Sequence, residues 1–227
     1  MLVGDKVYHR FALAPREHTK LLLPMMDAVL DEAGIGLPDV DAIAFSRGPG
    51  AFTGLRIATG VAQGVALAAD KPVIPVSTLA ALAYQAIEKQ VKTTTVVAAL
   101  DARMGEVYWG IYQIEGNNVV LDGEEQVSKP EDMFLATINC LNTSNKADEI
   151  TVLTGPGWDA YASAFQNDHL QRMEQISPIE IMENSLPTAA AIAQLALPMF
   201  LDGKGMAAED AQPVYIRNKV AEKSKKV

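Results

Sequence analysis

Cysteine is nearly absent from this chain. The single Cys140 has no internal disulfide partner, which points to a reducing compartment. Histidine is almost as scarce: His9, His18 and His169 include no pair at the i, i+4 spacing that sets two ligands on one helix face, so helix-borne metal chemistry has no ligands. No apolar run approaches the roughly 20 residues that span a bilayer, and Gly4-Asp5-Lys6 breaks the apolar start that a signal peptide would need. The Gly-Lys-Ser/Thr ending of a P-loop is missing, as is the Gly-x-Ser-x-Gly elbow of a nucleophilic serine. Positive charge is also short. A net charge of −9 and the lack of a basic, aromatic-rich face disfavour a direct RNA-binding module. The C-terminal end runs the other way, with Arg217, Lys219, Lys223, Lys225 and Lys226 against Glu222. Such an end is either a solvated tail or a contact for RNA or an acidic partner.

What is present reads as an α/β protein. At 227 residues, 49% of them apolar, the chain can bury a core of one large or two small domains. Helical and strand patterns alternate. An edge strand is predicted over 6–13, a helix over 18–33 stopped by Gly34 and Gly36, and short buried strands over 42–45 and 73–76. A helix over 77–90 is capped by Ser77 or Thr78. Strand-rich sequence begins near residue 91, with runs over 93–100, 106–112 and 119–121. A helix over 130–142, a strand over 150–153 and a helix over 188–201 closed by Gly203 follow. The predicted division is a first domain over 1–90 with 186–208 packing back on it, a second over 91–185, and a tail over 209–227.

The most informative stretch joins a strand to a long small-residue helix through Gly48-Pro-Gly-Ala-Phe-Thr-Gly-Leu-Arg-Ile57. Gly48, Gly50 and Gly54 permit turns and close approaches that a side chain would block, and Thr53 stands where an N-cap is expected. A strand, a glycine-rich turn and a helix N-terminus make a candidate anion site, though a tight turn without a ligand explains the same residues. In the helix that follows, Gly54, Ala58, Gly60, Gly64 and Ala68 form rows of small residues. Glycine inside a helix costs up to about 1 kcal/mol relative to alanine, so Gly60 and Gly64 suggest a packing reason, internal or between chains.

The helix over 18–33 is apolar over an arc of roughly 220° and polar only along Lys20, Pro24, Asp27 and Asp31. A surface helix on one sheet needs an apolar stripe little wider than about 100°. The surplus flank of Leu21, Met25 and Ala28 is covered either by a neighbouring helix or by another subunit, and methionine suits a surface that adapts to several partners. Asp101-Ala-Arg-Met-Gly-Glu106 reads as a turn between strands. Its acids serve either a hydrogen-bonded hairpin, with Gly105 at the turn, or a phosphate site. In Gly155-Pro-Gly157, Pro156 removes a donor from a loop that would otherwise suit a nucleotide.

Five stretches together resemble the TsaB (YeaZ) family of bacterial tRNA threonylcarbamoyladenosine biosynthesis proteins: 48–57, Pro15-Arg-Glu-His-Thr-Lys-Leu-Leu-Leu-Pro24, Pro75-Val-Ser-Thr-Leu79, Asp101-Ala-Arg-Met-Gly-Glu-Val-Tyr108 and Pro213-Val-Tyr-Ile-Arg217. The resemblance runs in order over nearly the whole chain. It implies a two-domain actin-like, sugar-kinase-like (ribonuclease-H-like) fold. It also implies a cytoplasmic, non-catalytic scaffold subunit that binds and stabilises a catalytic paralogue. The implied partners are that paralogue, TsaD, the ATPase TsaE and a second copy of the chain, with tRNA reached indirectly through the complex. No cofactor is expected in the isolated protein, and ATP only at the complex interface. The alternative is a stand-alone ATPase or metallopeptidase-like enzyme of the same superfamily. Family members associate through their first two helices, which assigns the interface to Leu22, Met25, Met26, Val29, Leu55, Ala58, Val61 and Val65. Gly48, Gly50, Thr53 and Gly54 become a vestigial anion or nucleotide loop, and no metal ligand is expected. The paralogue's two-histidine metal motif is matched here only by His18 and Leu22. The family opens with a strand carrying an Asp-Thr-Ser/Ala-type turn. Met1-Leu-Val-Gly-Asp-Lys-Val7 corresponds to the end of the following strand, so the first domain is expected to be N-terminally incomplete.

Overall fold

The computed structural model describes residues 1–14, 17–89, 93–143, 149–162 and 167–217. Strands β1 (Leu2–Val3) and β2 (Lys6–Val7) form a short antiparallel hairpin. Helix α1 (His18–Ala33) ends at Gly34, whose φ of 70° suits glycine. After a 3₁₀ turn at Leu37–Asp39, β3 (Ile43–Gly48), α2 (Phe52–Ala69) and β4 (Val73–Ser77) form a parallel β-α-β unit. Among the described residues β3 is hydrogen-bonded on one side only, to β4.

Helix α3 (Thr78–Glu88) follows β4 without a loop because the Ser77 hydroxyl accepts from the Leu79 and Ala80 amides, as the N-cap expectation required. Strands β5 (Thr93–Arg103), β6 (Glu106–Glu115) and β7 (Asn118–Ser128) form an antiparallel meander. Helix α4 (Pro130–Thr143), β8 (Ile150–Thr154), α5 (Pro156–Ala160), α6 (Asn167–Glu174) and β9 (Ile179–Met182) complete a five-stranded sheet of order β7-β6-β5-β8-β9. Helix α7 (Ala189–Leu201), capped by the Thr188 hydroxyl, returns to lie against β3, β4 and α3.

The core has a face on each side of the five-stranded sheet. Val97, Leu153, Met133, Phe134 and Trp158 fill one, and Val96, Ala98 and Tyr112 meet Leu79, Leu82 and Ala83 of α3 on the other. The opposite side of α3 presents Ala81 to Ile74, Val76 and Ile192. Helix α3 therefore sits between the large sheet and the β4–α7 layer.

Three expectations need correction, and two elements were not foreseen. The strand over 6–13 stops at Val7. Met1 and Tyr8 exchange the last bonds of its ladder with β1, and Phe11 and Leu13 lie 54% and 78% exposed. Thr53 is not the N-cap of α2. Ala51 is extended and its carbonyl accepts from the Leu55 amide, so the helix starts earlier and no side chain caps it. By length and composition α2, with 18 residues, is apolar enough to cross a membrane, contrary to the sequence reading. Here its Leu55, Thr59, Ala62 and Ala66 are buried, and its Gln63 side chain binds the Ala211 carbonyl. Finally, α6 and β9 escaped the sequence reading, since α6 is mostly polar and β9 is a four-residue edge strand.

Candidate functional site

Three of the five quoted stretches, 48–57, 101–108 and 213–217, meet on one face. Strand β3 delivers Gly48 at φ 110°, where an added Cβ would lie 2.9 Å from the Val214 carbonyl oxygen and 3.0 Å from Leu55 Cδ1. That position requires glycine. Gly50 and Gly54 are not so constrained, because a Cβ at either meets only ordinary contacts. The segment over 211–217 crosses the loop as a strap. The Val214 amide donates to the Arg47 carbonyl at 2.7 Å. The Val214 carbonyl oxygen thus stands over Gly48, on the side where a side chain would project.

Beyond Val214 the strap ties the start of α2 to the β5–β6 hairpin. Arg56 Nε donates to the Tyr215 hydroxyl at 3.2 Å, and its guanidinium lies 4.0 Å over the Phe52 ring. The Phe52 and Tyr215 ring centres are 5.6 Å apart. Arg217 pairs with Glu106 and donates to the Arg103 carbonyl at 3.3 Å. In the hairpin, Asp101 Oδ1 accepts from the Arg103 amide at 2.8 Å and the Tyr161 hydroxyl at 2.9 Å. Arg103, Met104 and Gly105 all have positive φ. Asp101 therefore organises the turn, while Glu106 faces the strap and does not close the hairpin with Arg103 alone.

Behind this face lies a buried polar knot. A two-residue surplus in β7 opposite Trp109 and Ile111 turns Glu125 inward, leaving its side chain 7% exposed. It accepts from the Ser77 hydroxyl, from the Tyr112 hydroxyl at 2.8 Å and from Arg47 Nη2 at 3.3 Å. Ser46 and Thr78 exchange a further hydroxyl bond at 2.5 Å. Burial, and next the Glu125 carboxylate, push the Tyr112 phenol well above the usual range. Arg47, Ser77, Tyr112 and Glu125 border a cleft of about 550 Å³ that extends past Tyr84 to Lys204.

The predicted docking residues take different positions. On α1 no residue is buried: Leu22, Met25, Met26 and Val29 are half-exposed, beside α2. On α2, Ala58, Val61 and Val65 are half-exposed, but Leu55 is 7% exposed and packs under the glycine loop, so it offers no free surface. A Cβ on Gly60 or Gly64 would meet nothing within 4 Å, so neither glycine has a packing reason among the described residues. Gly155 and Gly157 do, since a Cβ at either would strike the Ala99 backbone of β5. His18 opens α1, exposed. Pro15 and Arg16 lie outside the described residues, as does the tail beyond Arg217. Among the described residues no three His, Cys, Asp or Glu side chains gather into a metal-sized group.

Sequence reasoning missed that Phe52 meets Tyr215 at the strap and that Tyr112 meets Glu125 in the knot. Tyr215 lay within a quoted motif, but Glu125 sits in an acidic run beside Gly123 that reads as solvent-exposed.

Comparison with known proteins gives a consistent picture. Residues 12–225 match the family model described as TsaD: tRNA N6-adenosine threonylcarbamoyltransferase. The tRNA threonylcarbamoyladenosine biosynthesis protein TsaB of Escherichia coli K12 is 42% identical over 93% of this chain and 85% of its own length. The Haemophilus influenzae protein of the same name is 40% identical over 96% and 86%. The solved structure of YeaZ from Pseudomonas aeruginosa superposes with a TM-score of 0.76 at 40% identity, covering 94% of this chain and 91% of that one. The fold is therefore the actin-like, ribonuclease-H-like one, and identity at this level over nearly the whole length of both chains settles the relationship: the chain belongs to the TsaB (YeaZ) family.

Proposed function

We propose that this chain acts in tRNA threonylcarbamoyladenosine biosynthesis as a non-catalytic scaffold that binds and stabilises the catalytic paralogue, TsaD. The relatives' names supply the pathway. The observation that carries the scaffold role is the α1–α2 pair: a 16-residue apolar helix with no buried residue, beside a helix whose Gly60 and Gly64 face open space. Small residues let another helix backbone approach closely, and half-exposed Leu22, Met25, Met26, Val29, Val61 and Val65 supply apolar area worth about 25 cal/mol per Å² once covered. A second copy of the chain would use the same face in the absence of the paralogue.

The reading includes a cytoplasmic location, contact with the ATPase TsaE within the complex, and ATP at the complex interface only. It keeps the division into 1–90 with 186–208, and 91–185. The strap carbonyl over Gly48 supports a glycine loop that has become structural. A second reading, a catalytic transferase, has the matched family's description in its favour. The two separate in one experiment. Cells depleted of this chain should lose threonylcarbamoyladenosine from their tRNA, measured by nucleoside mass spectrometry. Purified chain alone should neither form the modification nor retain stoichiometric metal. Modification by the chain alone would establish the enzyme reading.

A further inference from the structure

We propose that the cleft between the five-stranded sheet and the β4–α7 layer binds a neutral small molecule through a carboxamide or ureido group, held by Arg47 and Glu125. The inference goes beyond the scaffold reading. No residue of α1 or α2 lines this cleft, and neither does the glycine loop over 48–54 nor the Gly155–Gly157 turn.

Three observations lead there. First, the cleft is built like a small-molecule site. Strands β3, β4, β6 and β7 and helices α3 and α7 all contribute to it, and its volume of about 550 Å³ suits a small ligand. Half-buried Tyr84, Leu195 and Met199 give it apolar walls around a polar floor. Second, its charges cancel. Arg47 pairs with Glu125 at 3.3 Å and Asp202 with Lys204 at 3.1 Å, and among the described residues no other charged side chain lines the cleft. A bound ion would leave water without a counter-charge. The lining adds the uncharged amides of Asn117, Asn118 and Gln194, whose side chains form no hydrogen bond among the described residues.

Third, the floor sets an acceptor beside a fork of donors. Both lone pairs of Glu125 Oε1 are engaged, by the Ser77 and Tyr112 hydroxyls, whereas Oε2 holds only the long contact to Arg47 Nη2. One acceptor site on a buried carboxylate is thus left for a ligand. Arg47, the more open partner, uses one of its N–H donors, and the others have no acceptor among the described residues. A carboxamide or ureido group complements this pair. Its carbonyl oxygen accepts from the guanidinium and its N–H donates to Oε2, with no proton transferred. A carboxylate ligand brings no N–H and faces Glu125 with like charge, and an amidinium brings no acceptor for Arg47.

The test is a saturation-transfer NMR titration of the full chain with compounds that share a phenyl ring: benzamide, phenylurea, acetophenone, benzoate and benzamidine. Benzamide and phenylurea should bind with millimolar Kd, as expected for such small ligands. Acetophenone, which lacks the N–H, benzoate and benzamidine should each bind more weakly by about fivefold or more. Arg47→Lys keeps a charge opposite Glu125 but loses the flat fork, and should weaken benzamide binding by about fivefold or more. Tyr84→Ala removes part of the apolar wall and should weaken it about threefold. Melting curves establish that each variant folds; where Arg47→Lys does not, Tyr84→Ala alone decides. Lack of saturation transfer to benzamide and phenylurea overturns the inference. So does a control compound that binds as tightly as they do, or benzamide affinity unchanged in the folded variants. None of these results bears on assembly with the paralogue, so the scaffold reading stands or falls apart from this one.

Discussion

Replacing one hydrogen by a methyl group at two glycines should move stability in opposite directions. At Gly48 the backbone holds φ at 110°, and a Cβ there would lie 2.9 Å from a backbone oxygen of the strap. Holding a non-glycine residue in such a region costs about 1–3 kcal/mol, and forcing a methyl group into filled space about 1–3 kcal/mol more. The obstructing atom is a main-chain carbonyl pinned by the Val214–Arg47 bond, so relief requires the strap to lift. Gly48→Ala should therefore destabilise by about 2–6 kcal/mol. At roughly 2–4 °C per kcal/mol for a chain of this size, melting should fall on the order of 10 °C. Gly60→Ala is the counterpart. Its Cβ meets nothing within 4 Å and it sits inside α2, so alanine should gain up to about 1 kcal/mol of helix propensity and raise melting by a few degrees. Differential scanning calorimetry of the isolated chain reads both. Limited proteolysis should also cut the strap of Gly48→Ala faster than that of the parent. A Gly48→Ala protein that melts with the parent, or a Gly60→Ala protein that melts below it, would refute the reasoning.

The polar knot and the strap make their own predictions. Glu125→Ala leaves the Ser77 and Tyr112 hydroxyls and Arg47 without their shared acceptor, and should cost about 3–5 kcal/mol in a denaturant titration. Because the folded-state pKa of Tyr112 is raised, folded and unfolded chains both hold that proton below about pH 10. Above it the unfolded chain releases the proton first, so stability falls as pH rises, at most about 1.4 kcal/mol per unit from this group. Tyr112→Phe should flatten that alkaline decline in pH-dependent melting, and an unchanged slope would count against the buried phenol. Arg217→Ala removes the Glu106 pair and the bond to the Arg103 carbonyl, and should raise protease sensitivity of the strap while the melting temperature falls by only a few degrees.

Legibility in the sequence followed locality. The ends of α1 were readable because its wide apolar arc stops at Gly34, and the Ser77 cap because one hydroxyl precedes a helical run. The α2 start was misplaced because Thr53 looks like a cap, whereas the loop is fixed by the Ala51 carbonyl and by Val214 from the far end of the chain. No local rule reports a contact across that separation. The strand expected through Leu13 failed because an apolar pattern does not report whether a partner strand lies alongside, and past Tyr8 none pairs with this segment among the described residues. The candidate site was readable as five motifs but not as a place. Phe52, Tyr215 and Glu106 come together only through tertiary structure, and Glu125 turns inward only because β7 carries surplus residues.

The central claim, that the α1–α2 face docks the catalytic paralogue, is tested most directly by sedimentation velocity of the two purified proteins mixed together. A glutamate at half-exposed Met25 or Val61 leaves the isolated chain able to solvate its charge, but within a covered apolar contact it costs several kcal/mol unless a partner charge is found. Wild-type chain should co-sediment with the paralogue. Met25→Glu and Val61→Glu should each shift the mixture towards separate species while their own melting curves stay near the parent's. Full assembly by both variants would contradict the account.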